Sequence, residues 1–288
     1  MRLEKRRVIL FVAITFLLSW GLAAYPWFGG MTQDSLNQPA ALLLGGYMWM
    51  PALASLLTRL LTCQGFSGLG LRPHIRGKGK YYWWGWSLPL IFSLAGAAVY
   101  FALFPGRFAL NFQLPQLEGG ALLAVLLAGG MVLVVPVNVF TGVLGEELGW
   151  RGYLFPQLCK LTAPRWAAVI SGLIWGVWHT PLICMGWDYG LDYPGYPWAG
   201  VAVLTLCCVA MSAWTGWLTC RAGCIWPATL FHSGINVLYS IFLLEGNFCG
   251  QAYCPLLGAH PLTLIGGWLL LVSGGWILLK SAHLFAGR

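Results

Sequence analysis

Along the chain, long apolar runs alternate with short polar or Pro/Gly-rich breaks. Eight of the runs approach or exceed the roughly 20 residues a helix needs to cross a hydrocarbon core. They lie at 8–25, 40–61, 82–104, 120–143, 166–185, 198–219, 224–245 and 262–280. The fourth is expected to continue past its apolar part into residues 146–158. This pattern predicts an all-α fold: a polytopic integral membrane bundle of about eight transmembrane helices, forming a single membrane domain over 1–288. Residues 1–25, basic at the start and then apolar, also have the form of a secretory signal, with a weak cleavage context at 21–24; the length of the run favours an uncleaved first span.

Composition agrees with that pattern. Apolar residues make up 59% of the 288 positions and charged residues only 8%, against roughly a quarter charged in an ordinary soluble domain. The net charge of +8 arises because acids number only 8, so it does not describe the dense basic surface that grips nucleic acid, and no nucleic-acid partner is expected. A mean hydropathy of +0.73, with 38 Gly and 17 Trp, suits packed helices with indoles at the headgroup level. With the N-terminus inside, 15 of the 16 Lys and Arg fall in cytoplasmic segments and Arg107 alone outside, while Asp34, Glu118, Asp188 and Asp192 fall in outer loops. An even number of spans with both termini cytoplasmic follows from this partition. The nine cysteines show no zinc-ligand spacing, since Cys220 and Cys224 have no partner pair. Cys249 and Cys254 share an outer loop, where a disulfide and two thiols are both open.

The informative residues are the polar ones inside apolar helices, because ionisable groups at membrane depth are costly and mark either a functional site or a structural bridge. Three segments qualify: Gly145-Glu146-Glu147-Leu148-Gly149-Trp150-Arg151, Trp175-Gly176-Val177-Trp178-His179, and His232-Ser233-Gly234-Ile235-Asn236. Glu147 and Arg151 stand at i and i+4 in the favourable order for a helical ion pair. Glu146 is rotated from them by about 100° and has no such partner, which makes it the candidate general base and leaves Glu147 with Arg151 as structural support of the site. The alternative, that both acids only bridge basic groups in a cytoplasmic vestibule, stays open on this segment alone. His179 by itself reads as a hydrogen-bonded core histidine. His232 and Asn236, four apart, share one helix face and supply donors able to stabilise an oxyanion, while Glu146 with His179 would deprotonate a water. His74, His260 and His283, in loops and the tail, are expected to be unremarkable.

The order Glu-Glu-x3-Arg, aromatic-x3-His and His-x3-Asn resembles the CPBP intramembrane proteases, also called the ABI or CAAX-protease family, which includes the Rce1-type CAAX prenyl endopeptidases. The resemblance covers roughly residues 120–245, the motif-bearing core, and one departure is Trp175 where the family often has Phe. It implies an endopeptidase whose active site opens to the cytosol within the bilayer; the compactness of the chain, separately, suits a prokaryotic plasma membrane. Glu146 and His179 would activate water, and His232 and Asn236 would form the oxyanion site. In the prenyl-processing branch the substrate is a C-terminal CAAX protein whose lipidated Cys precedes the cut; membrane lipids and a lipidated or membrane-bound peptide are thus the implied partners. The family has been described both as metal-dependent and as glutamate-dependent. No HExxH motif is present and zinc would need three or more converging ligands, which favours the glutamate-dependent description; a divalent metal such as zinc, if bound, would fall to Glu146, His179 and His232. Bacterial members are linked with bacteriocin immunity or peptide processing. Two rival readings therefore stand beside the enzyme: a non-enzymatic immunity or scaffold protein, and a proton-coupled transporter, the latter without any visible inverted repeat. Oligomeric state is left open.

Overall fold

The structure is a computed structural model that describes residues 3–108, 113–114, 117–243, 254–280 and 285. Its elements are helices, apart from a two-residue antiparallel pairing of Gln113–Leu114 with Leu117–Glu118 among the described residues. Helices α1 (Leu3–Phe28), α2 (Gln38–Leu61), α3 (Gly79–Leu103), α4 (Gly119–Cys159), α5 (Pro164–Cys184) and α6 (Trp198–Ala222) are each long and apolar enough to cross a membrane. Helices α7 (Trp226–Leu243) and α8 (Trp268–Leu279) occupy the last two predicted runs. All eight runs therefore fall on helices, while six satisfy both length and apolarity. The reasons for the other two are local. Helix α7 carries His232, Ser233, Asn236 and Ser240, which lower its hydropathy, and α8 begins at Trp268 because Pro261–Gly267 is spent in turns. The choice between a Cys249–Cys254 disulfide and two thiols involves Cys249, which lies outside the described residues.

Helix α6 is the centre of the bundle: 67% of its most apolar window is buried, against 28% for α1. Small residues let the other helices close on it. On α5, a Cβ at Gly172 would stand 2.5 Å from Val209 Cα, and one at Gly176 would collide with Thr205. On α8, a Cβ at Gly274 would lie 2.9 Å from Ala210 Cα. Helices α3 and α7 meet in the same way, Gly234 against the Pro89 ring and Gly85 against the Pro227 carbonyl. Outward-facing Leu17, Val132, Val137, Phe140 and Val272 are exposed, as expected of surfaces that meet lipid and not water.

Helix α4 carries the first motif, and its 41 residues amount to about 60 Å of helix against about 30 Å of hydrocarbon. It is not regular. Three π turns, Gly130–Val134, Val139–Val143 and Trp150–Leu154, interrupt it on both sides of the glutamates. Such turns misalign backbone carbonyls, which then need partners from neighbouring helices. Ser233 on α7 supplies one, its hydroxyl donating to the Val135 carbonyl at 2.8 Å. The glutamates are aimed by the glycines around them. Gly145 and Gly149 lie against the bend of α2, where a Cβ at Gly145 would come within 2.7 Å of the Met48 carbonyl and one at Gly149 would overlap Pro51. With those positions pressed to α2, Glu146 and Glu147 are turned inward, toward α5 and α7.

Candidate active site

Glu146, Glu147, Arg151 and His232 are each 3% exposed or less, so each polar atom they carry is costly where it lacks a partner. Glu146 finds two. Both Trp150 Nε1, one helical turn on, and Trp175 Nε1, from α5, donate to its Oε2 at 3.1 and 2.7 Å. Both indoles bind the same oxygen, which leaves Oε1 outside this pair of bonds. Glu147 makes the predicted ion pair, Arg151 Nη1 donating to its Oε1 at 3.1 Å, and the same oxygen lies 2.9 Å from His232 Nδ1. A carboxylate only accepts, so His232 carries a proton on Nδ1 and turns Nε2 away from it. That Nε2 faces Asn236 Nδ2 at 3.4 Å, which realises the shared helix face of the two residues.

His179 sits where α5 changes direction, between the Pro164–Trp178 segment and the short Thr180–Cys184 turn that Pro181 begins to break. Its Nδ1 lies 2.9 Å from the Trp175 carbonyl, which again only accepts; Nδ1 therefore bears the hydrogen and Nε2 keeps its lone pair. Trp175 is the common neighbour of the whole group. Its indole holds Glu146, its carbonyl holds His179, its ring meets His232 at a centroid distance of 4.8 Å and 70°, and the Arg151 guanidinium lies over it at 4.5 Å.

Glu146, His179, His232 and Asn236 all line one cavity of about 840 Å³. Glu147 and Arg151 do not line it, which separates the two adjacent acids as the helical spacing implied. The remaining wall is largely apolar, including Leu44, Val125, Leu126, Val134, Val237 and Ile241. Among the described residues, no group of three or more His, Cys, Asp or Glu side chains stands close enough to hold a metal ion in this arrangement.

Four features went beyond the sequence reading. Glu146 is not a lone carboxylate, because the two indoles satisfy it. Tyr47 of α2 also lines the cavity, its hydroxyl donating to the Trp178 carbonyl at 2.7 Å. Asp188, expected in an outer loop, is half-buried and lines the same cavity from the α5–α6 connection at a φ of 70°. Burial pushes its carboxyl up to about 6 against the opposing hydrogen bond from Tyr239. His260, expected to be an unremarkable loop residue, is buried between Tyr189 and Tyr239, with ring centroids at 6.1 and 4.9 Å, and burial holds its imidazole down at about 3. A pattern search for intramembrane charge passes over Asp188 and His260, since both lie in segments that read as loops.

Comparison with known proteins bears on this same stretch. Residues 128–238 match the family described as "Type II CAAX prenyl endopeptidase Rce1-like". The matched span takes in all three motifs and ends two residues beyond Asn236. A curated relative, CAAX prenyl protease 2 of Methanococcus maripaludis, is 33% identical over 105 residues, a stretch that covers 34% of this chain and 38% of the relative. The similarity to this relative thus spans less than two fifths of either protein.

Proposed function

We propose that this chain is an intramembrane endopeptidase whose substrate is a membrane-associated, C-terminally lipidated peptide. The observation that carries the reading is the convergence of Glu146, His179, His232 and Asn236, from three helices and three separate motifs, on one otherwise apolar cavity. A scaffold would need the polar atoms paired with one another; here Glu146 Oε1 and His179 Nε2 are left without an assigned structural task and share a cavity wall. The Rce1-like match and the protease named in the archaeal relative give the same direction for reaction and substrate.

In the proposed reaction a water enters the cavity between Glu146 and His179. Glu146 Oε1, or His179 Nε2 acting with it, takes a proton as the water oxygen attacks the scissile carbonyl. The carbonyl oxygen becomes an alkoxide. Asn236 Nδ2 has two hydrogens, of which His232 Nε2 takes one, so the second is free to donate to that oxyanion. Collapse of the tetrahedral intermediate breaks the C–N bond, and the proton held at Glu146 or His179 passes to the leaving amine. Glu147 and Arg151 act through His232: the carboxylate fixes its tautomer and ring plane, and Arg151 fixes the carboxylate.

Purified full-length protein, incubated with a prenylated CAAX peptide in detergent or liposomes, is expected to release the C-terminal fragment. Glu146→Gln and His179→Ala should each lower kcat by about 10²–10⁴-fold with unchanged thermal melting, the range set by removal of a general base. Undiminished cleavage in both variants would sink the assignment. The same assay with and without a strong chelator distinguishes metal-dependent from metal-independent turnover.

A further inference from the structure

A second cavity, of about 580 Å³, lies behind the catalytic constellation, at the end of the bundle where the basic loops gather. Its wall brings together the loop after α2 (Gly68, Gly70, His74, Arg76, Lys78), the end of α4 (Arg151, Phe155) and the α6–α7 turn (Arg221, Gly223). Arg76, Lys78, Arg151 and Arg221 are its formal cations, and no Asp or Glu is among its lining residues. Such a concentration of one sign inside a walled space repels itself unless a counter-charge is present.

Two observations point to a ligand in addition to the Glu147 carboxylate that Arg151 already holds. Arg151, 1% exposed, uses Nη1 for Glu147, while its Nε and Nη2 are buried without a hydrogen-bond partner; Arg221 Nε is buried in the same state. The Trp175 ring beneath Arg151 offers charge stabilisation but no acceptor lone pair. Buried guanidinium N–H groups left unmade are costly, and a tetrahedral oxyanion satisfies several at once. The walls are also tied in place. Ile225 N donates to the Gly70 carbonyl at 3.1 Å, Trp226 Nε1 to the Leu71 carbonyl at 2.7 Å, and Lys78 Nζ to the Arg221 carbonyl at 2.7 Å. Gly223, at a φ of 77°, closes α6 in the left-handed conformation and keeps the turn tight against His74.

We infer that this basic cavity binds a phosphate group, from an anionic phospholipid headgroup or from free phosphate, and that Arg151 joins it to the catalytic cavity through Glu147 and His232. Basic pockets between helix ends at one membrane face are suited to headgroup phosphates. The link is structural: the guanidinium that lines this cavity holds the carboxylate that orients His232.

The test reads binding, so it does not depend on the proteolytic reading. Full-length protein in a non-ionic detergent is titrated with dihexanoyl phosphatidylglycerol, with dihexanoyl phosphatidylcholine and with inorganic phosphate, following the thermal melting temperature. A saturable rise with phosphatidylglycerol that phosphatidylcholine does not give is expected. If phosphate alone reproduces it, the occupant is the free anion; if it does not, the occupant is the lipid headgroup. The combined Arg76→Gln, Arg221→Gln variant should raise the half-saturation concentration at least about tenfold, because it removes two charges at the site. The combined Lys5→Gln, Arg6→Gln variant, on exposed positions of α1, removes the same charge elsewhere and should not. Should the first variant fail to fold, native mass spectrometry of the delipidated wild-type protein, comparing retention of the two lipids, gives the answer. Absence of any saturable response, equal responses to both lipids, or equal weakening in both variants overturns the proposal.

Discussion

At the scale of single residues, the division of labour between two adjacent glutamates rests on helical geometry and is legible in residue spacing alone. Glu147 and Arg151 are four apart and pair, whereas Glu146 points about 100° away and reaches the cavity. The indoles that hold Glu146 are not legible in that way. Trp175 belongs to another helix, 29 positions away, and nothing in spacing tells which aromatic N–H will meet which carboxylate. Its role can be isolated. Trp175→Phe keeps a ring beneath Arg151 but deletes the 2.7 Å donor to Glu146, so the carboxylate loses one of two bonds to its Oε2. On the proposed mechanism kcat should fall about tenfold to a hundredfold, the worth of a hydrogen bond to a charged group, with KM little altered. The limb of the kcat–pH profile that reports ionisation of Glu146 should also move, a change that a purely structural role for the ring would not produce. An unmoved profile with a lowered melting temperature would assign Trp175 to packing alone.

At the scale of elements, hydropathy located all eight helices, because a span must be apolar over most of its length. It was weakest where function intrudes. Helix α7 falls short in apolarity through the same His232 and Asn236 that give it interest, and α8 is shortened by a turn segment that hydropathy reads as continuous with it. The π turns of α4 left no trace in the pattern, since they change the hydrogen-bond register of the backbone and not the polarity of side chains. Glycine spacing was visible in the sequence, but not which helix each glycine admits. The α5–α6 seam makes the point testable. Gly176 precedes His179 by three residues, and a methyl there would overlap Thr205. Gly176→Ala should cost about 1–3 kcal/mol by overpacking and displace the Trp175–His179 turn with it, so loss of turnover and of melting temperature should appear together. Gly275→Ala on α8, where a Cβ would meet nothing within 4 Å, should leave both as they were. Equal tolerance at the two sites would show that the seam yields, and that the close approach of α5 to α6 does not position the site.

At the scale of the whole molecule, the scarcity of charge gains a meaning it lacked as a composition statistic. Two of the 8 acids lie side by side in the bundle core, and a third, Asp188, enters the cavity that Glu146 lines from a connecting loop. The polar groups occupy a small part of a cavity otherwise lined by Leu, Val and Ile, in a volume of about 840 Å³, within the usual range for sites that enclose a ligand of several hundred daltons. On the proposed function, an apolar wall beside Glu146 and His179 predicts that the substrate's lipid is read by the protein, beyond serving as a membrane anchor. Partitioning alone would favour any acyl chain, at about 0.8 kcal/mol per buried CH₂. The discriminating comparison therefore uses two peptides with the same cleavable sequence, one prenylated and one carrying a straight saturated chain on the same cysteine. Both are presented at equal surface concentration in mixed micelles. If branched isoprene methyls pack against Leu126, Val134, Val237 and Ile241, kcat/KM for the prenylated peptide should be at least about tenfold higher, the discrimination that shape differences in an apolar pocket supply. Widening the pocket by Ile241→Ala should then narrow the ratio by lowering the prenylated value more than the other. Equal kcat/KM for the two peptides would mean that the cavity recognises the polypeptide and that the lipid acts only by delivering it to the bilayer.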